Sequence, residues 1–364
     1  MIRALLCVLC AFVAMLPAAK KQLVAPNSPE DIALGDAARE ADAAKRVADL
    51  DAFTQKFPTA AAAAHVHYLK AYVELKSWDK ALEAGQKAYQ ADNEDPEVCT
   101  SLMAAALGKG DAAAAAEWGA KAGDQFGKDL AAKPAGIDDE EWKRRQAKLT
   151  AERDYVEYQA FTAAQSEKDA TRRAAAFERV GAAFPGPYAK AALAQAATAY
   201  QQAGNAAKMT AAAETALKAD PDNEAMHLLL GETDLDQKRL DSATGHARSV
   251  LKIFESKAKP ANVADADWTT YQNTYRGAAQ SIIGRALMQQ EKTEAAIPEL
   301  KSASESLAAN PQAVAPVLYN LAYGYAKLKR TVEARATLQK CLAISGPYQK
   351  LCQDLSVKMR APGR

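Results

Sequence analysis

A spacing of 34 residues recurs along this chain and limits its fold more tightly than any other feature. Ala81 and Ala115 stand 34 apart, and so do Met209 and Ala243. These positions belong to a wider grid. Tyr72 is followed nine residues later by Ala81 and seven after that by Ala88; Tyr200, Met209 and Ala216 repeat the steps, as do Tyr325, Ala334 and Cys341. Gly231 and Gly284 precede Ala243 and Ala296 by twelve, and Val250 and Ala303 follow seven later. A period between about 20 and 50 residues marks an array of short units, each of which buries its apolar face only against its neighbours. A small residue on one helix facing a small residue on the next allows close approach, and the larger apolar positions fill the space against the following pair.

The units are helical. Alanine is abundant, runs of β-branched residues are scarce, and aromatic and charged residues make up 7% and 25% of the chain, a composition that favours helix throughout and gives no βαβ alternation. Leu230-Gly231 with Ala243, the ending Ala216-x3-Asp220-Pro221, and Tyr325 with Ala334 resemble the signature positions of the tetratricopeptide repeat family. That resemblance implies an all-α solenoid of helix hairpins wound into a right-handed superhelix, with about eight repeat units and a C-terminal capping helix. It further implies a protein or peptide partner on a concave face, no cofactor and no catalytic residues. Two features depart from the family: the signature tryptophan of the first helix is missing, and the closing prolines lie late at Pro96 and Pro311, so those turns are expected to be long. Phe57-Pro58 and Phe184-Pro185 also resemble the repeats of envelope lipoproteins that help assemble outer-membrane proteins, although the chain lacks a suitably placed lipid-attachment cysteine.

A longer repetition overlies the short one. Phe57-Pro58 matches Phe184-Pro185 at an offset of 127, and the stretch Lys133-Pro134-Ala135 to Trp142 matches Lys259-Pro260-Ala261 to Trp268 at 126. Three repeats therefore look duplicated. The expected organisation is a signal segment (1–19), a linker (20–29), repeats 1–3 over 30–145 with an insert near 129–142, repeats 4–6 over 146–272 with an insert near 256–268, repeats 7–8 over 273–345, and a capping helix and tail over 346–364. Helix pairs are expected near 30–57, 63–92, 97–128, 150–184, 189–220, 223–255, 276–309 and 313–345, with a last helix near 348–359. Trp142, Trp268, Tyr271 and Tyr275 are expected to anchor the inserts to the array or to face a ligand.

Arg3, an apolar run from Ala4 to Leu16, the small residues Ala18 and Ala19, and then Lys20 and Lys21 read as an export signal. The run is shorter than the ~20 apolar residues that span a bilayer, so cleavage near Ala18 or Ala19 is expected, with an uncleaved anchor as the alternative. The resulting expectation is an exported protein of the periplasm or cell envelope, with no later transmembrane segment. Lysine and arginine number 46 against 45 aspartate and glutamate, and such a neutral chain is a poor match for nucleic acid, whose affinity rests on clustered positive charge. Lys143-Arg144-Arg145 beside the acids Asp138 to Glu141 reads as a self-compensating helix face.

Chemistry is harder to find. His65 and His67 are two apart and would point to different faces of a helix, and His227 with His246 falls on the two helices of one repeat without a nearby cysteine; no metal site is expected. Gly108-Lys109-Gly110 reads as a turn, and no phosphate loop, nucleophile elbow or zinc-protease helix occurs. The acids Asp138 to Glu141 and Asp265 with Asp267 lack the order of a calcium loop and suit helix N-termini. Alternatives to a scaffold are a polysaccharide-processing or hydrolytic enzyme with its site in the inserts, or a self-assembling structural protein.

Projecting the repeat grid onto first helices gives the lining a partner would meet: Val66, Lys70 and Glu74; Tyr155 and Gln159; Thr198, Gln201 and Gln202; Glu232 and Asp236; Ser281, Arg285 and Gln289; and Tyr319, Tyr323 and Lys327. Within it, Lys70, Glu74, Tyr155, Gln159, Gln201, Glu232, Arg285, Tyr319, Tyr323 and Lys327 are the partner-binding candidates. No unit carries the lysine and asparagine pair that clamps a chaperone carboxylate. Tyr319 and Tyr323, one turn apart, suit an extended peptide or pack on the closing helix. Cys341 and Cys352 flank the turn Ser345-Gly346-Pro347 and are expected either to pair there or to lie as two buried thiols, while Cys99 reads as a core residue.

Overall fold

A computed structural model describes residues 23–360. The expected signal over 1–19 and the start of the linker lie outside the described residues. Those described form two compact units, one running through Asn205 and the other beginning at Ala206.

Among the described residues the regular structure is helical, with seventeen α-helices and one 3-10 turn at Pro58–Ala60. In the first unit the helices are α1 (Pro29–Arg39), α2 (Ala43–Lys56), α3 (Ala61–Glu74), α4 (Trp78–Ala91), α5 (Pro96–Lys109), α6 (Ala112–Ala131), α7 (Asp139–Ser166), α8 (Ala170–Ala183) and α9 (Pro187–Gln202). The second unit holds α10 (Ala206–Ala219), α11 (Glu224–Asp236), α12 (Leu240–Ser256), α13 (Asp265–Gln289), α14 (Thr293–Ser306), α15 (Pro311–Lys327), α16 (Thr331–Leu342) and α17 (Pro347–Arg360). Within each unit consecutive helices pack on one another, and each first helix also touches the first helix of the next pair, as α3 touches α5 and α11 touches α13.

The sequence grid is the packing grid. Ala81, Ala88, Ala115, Tyr200, Met209, Ala216, Ala243, Val250, Ala296, Ala303, Tyr325, Ala334 and Cys341 are all buried. Alanines at these crossings bring helix axes together, and large side chains such as Leu69, Leu102, Ile282 and Leu300, all fully buried, fill the layers between pairs. Each such side chain contributes about 1.5–3 kcal/mol by leaving water. The hairpins thus have the tetratricopeptide layout.

Two kinds of turn join first helices to second ones. Six carry a left-handed residue, at Lys76, Gly110, Gly204, Lys238, Glu291 and Lys329. In each the next N–H bonds back five residues along the chain, as Ser77 does to Tyr72, Asp111 to Ala106 and Arg330 to Tyr325, which satisfies carbonyls that a helix end would leave bare. The first and fourth hairpins are built differently. Asp42 caps α2 through the N–H groups of Ala44 and Lys45, and Asp169 caps α8 through that of Arg172. The N–H of Asp42 bonds to the Glu40 carboxylate, and that of Asp169 to the Glu167 carboxylate.

Three expectations need correction. The inserts near 129–142 and 256–268 are shorter than expected: α6 runs to Ala131 and α7 begins at Asp139, α12 runs to Ser256 and α13 begins at Asp265, so only 132–138 and 257–264 lie outside helix. The helices expected near 150 and 276 start earlier: Asp138 caps α7 through the N–H of Glu141 and three acids fill its first turn, and Asp265 and Asp267 fill the first turn of α13. Pro96 and Pro311 open α5 and α15, where proline is tolerated at the first position. The turns before them span residues 92–95 and 307–310, the same length as 220–223 around Pro221, so they are not long.

Candidate functional site

In the first unit α7 and α9 lie side by side and run in the same direction. At one end the Tyr158 ring meets Tyr188 edge to face at 5.3 Å, and Phe161 packs behind at 5.4 Å from Tyr188. Further along, Gln165, Arg173, Gln195, Thr198 and Gln202 line a groove of about 200 Å³ with Phe177 at its base. Tyr155 sits one turn before Tyr158, and Tyr155, Tyr158 and Tyr188 are 40%, 41% and 37% exposed. Burial holds the Tyr155 phenol above its usual ionisation range. Gln159 is half-buried on the same helix and Gln201 is exposed on α9.

The position of α9 is set by a buried acid. Glu157, 1% exposed, accepts the N–H of Ala189 at 2.7 Å and so satisfies a donor at the helix start. Burial raises its carboxyl, a tendency opposed by that hydrogen bond.

Arg173 holds the turn before α8. It donates to the carbonyls of Glu167 and Lys168 at 2.8 and 3.2 Å, and to the Gln202 side chain at 2.6 Å. Arg46 does the same one duplication earlier, donating to the carbonyls of Glu40 and Ala41 and, through two nitrogens at 2.8 Å, to the Glu74 carboxylate. Each clasp joins a hairpin turn to the end of the next first helix. Two of the expected binding residues thereby acquire partners inside the array: Glu74 with Arg46, and Lys70 with Glu97 at 2.5 Å.

In the second unit Arg285 on α13 donates to both oxygens of Glu232 on α11 at 2.9 and 2.8 Å, and Lys327 pairs with Glu291 at 2.6 Å. That hydrogen bond holds the Lys327 ammonium above its usual range. Tyr319 packs on Tyr348 of α17 with ring centroids 6.0 Å apart, whereas Tyr323 is 43% exposed. Ser281, projected into the lining, is buried; a helix face is a stripe, and one residue of error in the projection moves a position from its rim to its base.

The duplicated motifs share one local design. Lys133 pairs with Asp139 and Lys259 with Asp265, each at 2.6 Å, so the acids of the expected inserts cap helices or answer lysines. Trp142 is half-buried on α7. Trp268 stacks on Tyr271 at 5.5 Å, and Trp268, Tyr271 and Tyr275 all contact Phe254 of α12, which is the anchoring arrangement. Beneath them the buried Glu224 accepts from the Tyr271 hydroxyl and from Lys257 at 2.6 and 2.7 Å. Burial pushes the Glu224 carboxyl up, but Lys257 and Tyr271 outweigh it and hold the group below the usual range. The Tyr271 phenol is raised by burial and by Glu224.

Cys341 and Cys352 are bonded to each other, joining α16 to α17. Cys99 is buried, and burial raises its thiol to about 12. Among the described residues no group of three or more His, Cys, Asp and Glu side chains is arranged to hold a metal, and no helix is long and apolar enough to cross a membrane. His227 and His246 are nevertheless brought together, with their Nδ1 atoms 3.0 Å apart.

The groove between α7 and α9 was only partly visible in the sequence. Tyr158, Tyr188, Gln165 and Gln195 escape a projection of single repeats, because what unites them is a shared offset of 30 residues between neighbouring first helices. The clasps were missed too, though Glu40-x-Asp42 with Arg46 and Glu167-x-Asp169 with Arg173 recur at the 127-residue offset.

No family model matches the chain, and no curated protein sequence matches it. Among solved structures it is similar to a chain in the crystal structure of the APC/C hetero-tetramer Cut9–Hcn1, at 14% identity and a TM-score of 0.42, covering 91% of this chain and 55% of that one. It is also similar to the TPR domain of P58(IPK), at 15% identity and a TM-score of 0.31, covering 92% and 100%. The chain thus spans about half the length of the Cut9–Hcn1 chain.

Proposed function

We propose that this chain is a non-enzymatic protein–protein interaction scaffold of the cell envelope, exported by its first nineteen residues, which holds a peptide or protein partner against the first helices of its repeats. The observation that carries the reading is the α7–α9 groove, where three exposed tyrosines stand beside a channel lined by glutamine and threonine. Tyrosine offers a broad amphipathic contact at low entropic cost, and glutamine amides both donate to and accept from a peptide main chain. In the second unit Tyr323 offers a like contact. Lys70, Glu74, Glu232, Arg285, Tyr319 and Lys327 act chiefly by fixing the helices that present these faces, since each is engaged with a neighbouring helix or, for Lys327, with the turn after α13.

Envelope location is supported by the Arg3 to Lys21 pattern and by a cystine, which persists in oxidising compartments. A non-catalytic role is supported by the duties of the acids at the starts of α7 and α13.

The test is affinity capture from the native envelope fraction with the tagged full chain, repeated with Tyr155, Tyr158 and Tyr188 replaced by alanine in a variant whose helicity and melting temperature match the original. A partner held by the original and lost by the variant supports the reading. A partner held equally by both places binding elsewhere, and recovery of the chain with soluble cytoplasmic proteins argues against export.

A further inference from the structure

Besides the groove, the least explained cluster in the molecule is the meeting of two imidazoles across the hairpin of α11 and α12. His227 stands in the first turn of α11 and His246 in the middle of α12. Their rings lie 5.3 Å apart between centroids, with the two Nδ1 atoms at 3.0 Å. On the far side of one ring, Nε2 of His227 is 3.0 Å from the carbonyl oxygen of Pro221. On the far side of the other, Nε2 of His246 faces the buried carboxylate of Asp234 at 3.9 Å. Asp234 is itself held by Arg239.

The surroundings decide where the ring protons sit. A carbonyl oxygen only accepts, so His227 carries its proton on Nε2 and presents a lone pair at Nδ1. A carboxylate beyond His246 likewise favours a proton on that Nε2, which leaves the second Nδ1 as a lone pair too. Two lone pairs then face each other at hydrogen-bond distance. Moving the His227 proton to Nδ1 for a ring-to-ring hydrogen bond leaves its Nε2 lone pair facing the Pro221 carbonyl oxygen, and moving the His246 proton leaves a lone pair facing the Asp234 carboxylate. A cation between the two Nδ1 atoms takes up both lone pairs and leaves each Nε2 proton on the side of its oxygen neighbour.

We propose that His227 and His246 bind one divalent late transition-metal ion through their Nδ1 atoms. Two nitrogens on one such ion, each at about 2.0–2.1 Å, stand roughly 2.9–3.4 Å apart for square or tetrahedral angles, and the observed separation of 3.0 Å falls in that range. Imidazole pairs suit zinc, copper and nickel, whereas magnesium and calcium take oxygen ligands. Pro221 fills the outer role that metal-bound histidines require, accepting from the His227 Nε2 that does not face the metal, and the Asp234 carboxylate lies 3.9 Å from the corresponding nitrogen of His246. With two protein ligands the remaining positions belong to water. The ion pins the start of α11 to the middle of α12.

Copper(II) titrated into the purified full chain, with the metal removed beforehand by chelation, tests the site. Expected is an equimolar complex whose pulsed paramagnetic spectrum shows two imidazoles with protonated remote nitrogens. Affinity measured by chelator competition should fall by about 10- to 100-fold or more in His246→Ala and in His227→Gln, and hold in a variant with His65 and His67 both replaced by alanine. Zinc should raise the melting temperature of the original chain and of the His65 and His67 variant, and leave that of His227→Gln unchanged. His227→Gln keeps a hydrogen-bonding side chain at the hairpin, so its metal response can be read in a folded chain. A one-imidazole spectrum, or equal affinity in original and His227→Gln, overturns the proposal.

Discussion

The carboxylate of Glu157, on α7, closes the start of α9 by accepting the backbone N–H of Ala189 at 2.7 Å. A Cβ placed on Gly186 would fall 2.0 Å from its Oε2 atom. Glycine is therefore required there by a close approach. Gly186→Ala should cost about 1–3 kcal/mol, the range for disturbing a buried polar pair, and should cost less in a Glu157→Ala background, as a double-mutant cycle in urea would show.

The same carboxyl gives a pH signature. Burial raises it above the usual carboxylate range, so its contribution to stability is complete below the ordinary value and declines as pH rises through the raised one. Glutamine at 157 keeps an acceptor and does not ionise. The stability of the original relative to Glu157→Gln should therefore fall from acid to neutral pH in paired thermal melts; a difference that rises over that window would contradict the assignment.

At the left-handed turns, residue type should matter in one direction only. Gly110 stands at φ 82° and Lys329 at φ 62°. Gly110→Ala should destabilise by about 1 kcal/mol because a Cβ is strained in that region, whereas Lys329→Gly should cause no loss. Denaturant midpoints measured on the two variants decide it.

Arg46 and Arg173 make equivalent clasps, so their loss should be equivalent. Hydrogen bonds from a charged group contribute about 1.5–3 kcal/mol; Arg46→Ala and Arg173→Ala should each destabilise by an amount in that range. Hydrogen exchange should quicken at the turns 40–42 and 167–169 respectively, and not at the left-handed turns.

The cystine joins residues 11 apart, and closing a loop of that size stabilises by about 3 kcal/mol in the chain-entropy account. Cys352→Ser should release α17 first. Amide exchange confined to 347–360, with the rest of the second unit still protected, is the expected pattern.

Most of the fold was legible because a repeat array uses one packing solution many times. Ala81, Ala243 and Ala334 announce helix crossings by their spacing alone, and all three are fully buried. What the spacing hid was where α7 and α13 begin. Lys133-Pro134-Ala135 is loop, but Asp138 caps α7 and starts it at Asp139, so the break covers 132–138 and not the whole insert. The binding face was less legible than the core. Which long side chain on a first helix reaches a neighbour, as Lys70 reaches Glu97, and which stays open, as Tyr323 does, depends on the distance between successive first helices. A single repeat does not encode that distance. His227 and His246 met for the same kind of reason: the hairpin's register, not their separation in sequence, faces their rings.

The most direct test of the scaffold account is photocrosslinking in intact cells, with a photoreactive phenylalanine placed in turn at Tyr155, at Tyr323 and at Val332, the last being 80% exposed on α16. The account predicts discrete protein adducts from Tyr155 and Tyr323 and none from Val332. Adducts from Val332 alone, or no adduct from either tyrosine position in a folded chain, would contradict it.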